Sequence, residues 1–134
     1  MKILLTGTTG YIGKRLLVEL LEKGHEVICC VRDRKRFDET PYDGAAISVI
    51  ELDFLEKETL EIIPDDIDVA YYLIHSMSTS IDDFESLEEK TARNFKERME
   101  QTGVRQVIYL SGIVNDDELS KHLSSRRNVE EILM

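Results

Sequence analysis

The chain has 134 residues, 42% of them apolar and 33% charged, which suffices for one domain with a real core and is ordinary for a globular protein. Its net charge of -10, from 27 acidic and 17 basic side chains, argues against nucleic acid or an anionic membrane as a partner. No apolar run approaches the roughly 20 residues that span a bilayer, the N-terminus lacks the layout of a signal peptide, and the expectation is a cytoplasmic protein.

The first stretch reads KILLTGTTGYIGKRLLVELLEKG, from Lys2 to Gly24. Ile3 to Leu5 predicts a strand that stops at Thr6-Gly7. Gly10 and Gly13 follow, and then a helical stripe of Ile12, Leu16, Leu17, Leu20 and Leu21, with Gly24 as a left-handed stop. Strand, glycine turn and helix together make the arrangement that holds a dinucleotide pyrophosphate. Gly7 turns the chain off the strand, Gly10 lets backbone approach the phosphates, and Gly13 lets the helix lie close to the sheet. The bare N–H groups of the first helical turn face the anion. Candidate cofactor contacts here are Gly7, Thr9, Gly10, Tyr11, Ile12 and Gly13. The spacing is TGxxGxxG, and TGTTGYIG resembles the extended and atypical branches of the short-chain dehydrogenase/reductase superfamily.

Glu26 to Val31 predicts a second strand, continuously apolar and so covered on both faces. Cys29 and Cys30 are adjacent in it, point to opposite faces, and read as small apolar fillers. The strand ends in Arg32-Asp33-Arg34-Lys35-Arg36, the densest cationic run in the chain. It falls where the second strand of a dinucleotide fold meets the adenosine ribose. Val31 stands where an acidic residue would mark NAD, and Arg32 suits a 2'-phosphate, so NADP is the preferred cofactor, with NAD the alternative.

Phe37 to Ala46 is an irregular connection, and Ala46 to Leu52 predicts a third strand ending at Asp53-Phe54. The resemblance implies that Asp53 and Phe54 lie against the adenine; Asp53 is equally suited to cap a short helix from Glu56 to Ile63. Asp68 to Ile74 predicts a fourth strand. Leu73, Ile74 and His75 at its carboxyl end belong near the nicotinamide half of the cofactor, because loops at those ends line the ligand crevice of an open parallel sheet. A long helix from Ile81 to Gln101 packs through Phe84, Leu87, Thr91, Phe95 and Met99, its charges reading as a solvated face. Val104 to Leu110 predicts a fifth strand. The fold class is therefore α/β, a three-layer αβα Rossmann domain over residues 1–134 with a parallel sheet in the order 3-2-1-4-5.

Short-chain dehydrogenases place a serine at the end of the fifth strand and a Tyr-x-x-x-Lys pair on the next helix. Ser111 matches the serine, while His122 and Arg126 stand where the tyrosine and lysine would be. That departure resembles the atypical branch, and YYLIHSM with HLSSRRNVEEIL resembles a bacterial NAD(P)H-binding subgroup within it. Histidine can pass a proton near neutral pH and arginine can hold a ribose or phosphate, so Ser111, His122 and Arg126 are the candidate catalytic residues. The resemblance implies an oxidoreductase or nucleotide-sugar epimerase-like protein; the lost tyrosine leaves open a non-catalytic module that senses NAD(P)H. Relatives continue into a further strand. Without one the fifth strand is an open edge that invites self-association. The aspartate pairs 65-66, 82-83 and 116-117 sit at expected loops and helix starts, where carboxylates cap amides, and no metal is expected.

Overall fold

The computed structural model describes residues 1–74, 81–110, 129 and 131–134, with backbone alone for 81–85. Strands β1 (Lys2–Leu5), β2 (Glu26–Val31), β3 (Ile47–Glu51), β4 (Val69–Tyr72) and β5 (Gln106–Tyr109) form one parallel sheet in the order β3-β2-β1-β4-β5. Leu4 of the central strand lies opposite Ile28 on one side and Ala70 on the other. The order and the parallel sense are those expected from the alternation of strand and helix patterns. The strands are shorter than the sequence suggests at β3, β4 and β5 by one or two residues at either end.

Among the described residues, α-helices pack on both faces of the sheet. Helix α1 (Tyr11–Glu22) lies on the face where Ile3, Leu5, Val27, Cys29 and Val31 point, and Leu17 and Leu20 pack into that layer. Helix α2 (Ile81–Glu100) lies on the other face, where Leu4, Ile28, Cys30, Ala70 and Tyr72 meet Ala92, Phe95 and Met99. Successive β2 residues therefore feed opposite cores, which is why the whole strand is apolar. Both cysteines are buried and unpaired, and burial pushes the Cys29 thiol up to about 12. Val129 and Ile132 join the α2 core, and residues 131–133 are helical. No helix among the described residues is long and apolar enough to cross a membrane.

Three details depart from the sequence reading. Ile12 is 45% exposed and stands outside the apolar stripe of α1. The crossover after β3 is a 3-10 helix, Lys57–Ile62, not an α-helix. With three residues per turn it stacks Leu60 over Ile63, both buried, and leaves Glu61 and Ile62 outside; so short a connection with Pro64 behind it gains nothing from the wider α period. Finally, α2 is not charged only on its solvent side: Glu88 and Asn94 are buried with Thr91. The guanidinium of Arg98 donates to the carbonyls of Leu60 and Ile63 and to Asp65, tying α2 to the crossover.

Candidate functional site

The turn between β1 and α1 is fixed by sterics. Gly7 has φ +65, and a β-carbon there would run into the carbonyl of Leu73 beyond β4. A β-carbon on Gly13 would run into the carbonyl of Gly7, so this glycine lets α1 close on its own loop rather than on the sheet. Two buried threonines, which the sequence reading passed over, hold the turn in place. The Thr6 hydroxyl donates to Tyr71 O at 2.7 Å and accepts from the Leu73 N–H at 2.9 Å, bridging β1 to the end of β4. The Thr8 hydroxyl donates to Leu5 O at 3.0 Å. Small hydroxyl residues just past a buried strand were the available signal.

Helix α1 starts at Gly10 with no side-chain cap and no acidic residue in its first turn. Among the described residues, the first N–H of the helix to find a backbone acceptor is that of Lys14, on Gly10 O. The N–H groups of Tyr11, Ile12 and Gly13 are thus left at the positive end of the helix dipole, the arrangement that binds a phosphate anion. Tyr11 itself is largely exposed, with Arg15 over its ring at 4.3 Å.

A crevice of about 510 Å³ opens beside this turn, at the carboxyl ends of the strands. Of the sequence candidates it brings together Gly7, Thr9, Arg32, Asp53, Phe54 and Ile74; Gly10, Tyr11, Ile12, Gly13 and Leu73 do not line it. Its walls also include Thr8, Cys30, Val31, Leu52 and Leu55, with Leu87 and Thr91 from α2 opposite. His75, Ser111, His122 and Arg126 lie outside the described residues.

The loop after β2 is ordered by acids. Asp33 accepts from the Lys35 N–H at 3.0 Å and faces Arg36 at 3.7 Å, Arg34 faces Glu39 at 3.5 Å, and Glu51 at the end of β3 accepts from the Arg34 N–H at 3.0 Å. Arg32 is exposed, lines the crevice, and has no ion-pair partner among the described residues.

The segment after β3 is a bend held by side chains. One oxygen of Asp53 accepts from the Leu55 N–H at 2.9 Å. Asp53 does not cap the 3-10 helix, whose N-cap is Glu56; it closes a local turn instead. Phe54 is buried against Phe95, ring centroids 5.8 Å apart.

A glycine turn aimed at bare helical amides, beside a crevice at the strand ends, fits a dinucleotide. The model of a family described as NAD(P)H-binding matches residues 7–133. The chain belongs to that family. Along its whole length this NAD(P)H-binding chain is 26% identical, over 145 residues, to the chloroplastic divinyl chlorophyllide a 8-vinyl-reductase of Arabidopsis thaliana, of which it covers 34%. The same fold is found in WbmG of Bordetella bronchiseptica, solved in complex with NAD, with TM-score 0.80 and 18% identity over 99% of this chain and 49% of that one. It is found again in the triphenylmethane reductase of Citrobacter sp., complexed with NADP(H), with TM-score 0.78 and 16% identity over 99% of this chain and 45% of that one. The NAD(P)H-binding chain therefore spans 34% of the curated reductase and just under half of these two solved proteins.

Proposed function

We propose that the chain is the NADP-preferring nucleotide-binding domain of a short-chain dehydrogenase/reductase-like oxidoreductase or epimerase-like protein. One observation carries the cofactor choice. Arg32 borders the crevice with no counter-ion among the described residues, while Asp33, the acid that follows it in the chain, is engaged by the Lys35 amide and Arg36. A free planar guanidinium at the end of the second strand suits a 2'-phosphate. On this reading the diphosphate lies on the amides of Tyr11, Ile12 and Gly13, close to Gly10. The adenine lies against Asp53 and Phe54, and the nicotinamide half runs toward Leu73, Ile74 and His75. Ser111, with His75 or His122, would face a substrate carbonyl next to the nicotinamide.

Titration with NADPH and NADH side by side tests the choice. NADPH binds more tightly, and Arg32→Ala removes most of the preference. A charge-assisted hydrogen bond is worth about 1.5–3 kcal/mol, so the expected loss is roughly ten- to a hundredfold. Equal affinities in the wild type would overturn the NADP assignment.

The sequence also favours a second reading. Without Tyr-x-x-x-Lys the domain serves as a non-catalytic module that senses or carries NAD(P)H. Consumption of NADPH with a panel of aldehydes, ketones and quinones separates the two: turnover supports the enzyme, and tight binding without turnover supports the module. Among the described residues β5 pairs only with β4, and Leu110 beyond it is exposed, which supports self-association along that edge. A clean monomer in sedimentation at tens of micromolar would remove it.

A further inference from the structure

We infer that Asn94 of α2 is a positioning residue for the adenine end of the dinucleotide; this rests on the reading that places the adenine against Asp53 and Phe54. The segment 53–55 lies beyond the sheet ladder, so strand pairing does not fix its shape. Side chains fix it instead. The Asp53 carboxylate holds the Leu55 N–H, and the Thr59 hydroxyl accepts from the Asp53 N–H at 3.0 Å and shares its one proton between the carbonyls of Glu56 at 2.7 Å and Asp53 at 2.8 Å. Those contacts tie the segment to itself and to the crossover that follows. The packing of Phe54 on Phe95 and the hold of Arg98 on the crossover bring the segment against α2, but neither supplies a hydrogen bond to its own backbone.

Asn94 supplies that hydrogen bond. It is 8% exposed, and its amide nitrogen donates to the carbonyl of Phe54 at 2.7 Å, across 40 residues of sequence. The same helix contributes Leu87 and Thr91 to the facing wall of the crevice, and Thr91 lies one turn before Asn94. A hydrogen bond this short, made in a buried setting where water cannot replace either partner, sets the separation of the two walls between which a flat base would slide. The Phe54 and Phe95 rings, tilted at 59°, pack beside it and leave the carbonyl no other donor among the described residues. Asn94 touches no cofactor atom on this account; it acts through the backbone that presents Asp53.

The consequence is specific to the base. Asp53, correctly placed, accepts from the exocyclic amine of adenine, and it opposes the carbonyl oxygen that hypoxanthine carries at the same position. The test compares NADPH with its hypoxanthine analogue, in the wild type and in Asn94→Leu and Asn94→Asp. The first variant removes the donor at nearly constant size, and the second keeps the shape but turns an acceptor toward the Phe54 carbonyl. Wild type holds the adenine form about tenfold more tightly. Both variants bring that ratio below about threefold, while thermal unfolding of each reports its stability separately. If Asn94 served stability alone, the variants would lower the melting temperature and weaken both dinucleotides equally, leaving the ratio unchanged, and the inference would fall. Should Asn94→Leu not fold, Asn94→Asp alone decides. Wild type that binds dinucleotide without discriminating between the bases would overturn the adenine placement, and the inference with it.

Discussion

Replacing Gly7 with alanine separates the steric demands of the turn from those of the ligand. The position has φ +65, a region that costs an L-residue about 1–2 kcal/mol. The new methyl would also meet the carbonyl carbon of Leu73 at 2.9 Å and its β-carbon at 3.1 Å, backbone and near-backbone atoms that cannot swing aside. Forcing them apart adds about 1–3 kcal/mol of overpacking. Together Gly7→Ala should lose about 2–5 kcal/mol, a drop in melting temperature of roughly 6–20 °C for a domain of this size. Gly10→Ala is the contrasting case. Gly10 has φ -77 and ψ 169, which any residue adopts, and its added methyl meets only the Gly7 carbonyl, at 3.3 Å. Its melting temperature should stay within about 2 °C of wild type. If the diphosphate lies against the Gly10 α-carbon, however, the methyl displaces it and NADPH binding weakens at least about tenfold. Differential scanning fluorimetry and a fluorescence titration on the two variants measure both quantities. A Gly7→Ala protein that melts with the wild type would refute the steric account, and a Gly10→Ala protein that binds normally would refute the placement of the diphosphate.

Two further outcomes follow from the polar anchors. Arg98→Leu strands the carbonyl of Ile63 and takes from that of Leu60 one of its two donors, leaving it the Ile63 N–H, and since the arginine is only 11% exposed the change should cost about 1–3 kcal/mol in urea denaturation; Asp65→Ala, which removes its 78% exposed partner, should cost under about 1 kcal/mol. If the two variants lose equal stability, the carbonyl contacts are not what matters. The second concerns pH. Hydrogen bonding to Lys2 holds the Asp66 carboxyl below its ordinary 3.8 and, reciprocally, holds Lys2 above 10.5. A depressed acid stabilises the fold above its unfolded pKa and ceases to as the pH falls through the folded one. Asp66→Asn should therefore melt slightly below wild type near neutral pH, with the gap closing as the solution is acidified past 3.8. A gap that persists at pH 2 would point to shape rather than charge.

Features whose cause is local were legible in the sequence. The glycine turn, the apolar β2 strand and the stop at Gly24, which has φ +84, each depend on residues within a few positions of one another. Strand order followed from the alternation of elements and the handedness of crossovers. What escaped was set by partners far along the chain. Thr6 is a bridge only because Tyr71 and Leu73 arrive beside it, and Asn94 is a clamp only because Phe54 does. A helix period could have flagged Glu88 and Asn94, since each lies three residues from the buried Thr91, yet a polar residue on an apolar stripe does not announce its partner. Asp53 is a different case: the sequence offered it to the adenine or to the cap of a following helix, and the bond it makes is a local one to the Leu55 N–H two residues on.

A chain of net charge -10 that binds a polyanion has to solve its electrostatics at short range. At physiological ionic strength charges are screened beyond about 8 Å, so the many distant carboxylates matter less than the few beside the crevice. Those few are engaged. Asp33 is turned toward the Lys35 amide and Arg36, Glu51 takes the Arg34 amide, and the first turn of α1 carries no acid at all. What remains is Arg32 at the crevice wall and the uncapped start of α1 beside it, with Asp53 the one carboxylate at that wall among the described residues. A carboxylate there would repel a phosphate but accept readily from an amine, so its position, on the far side of β2 from the glycine turn, suits the proposed placement of the base there and of the diphosphate at the turn.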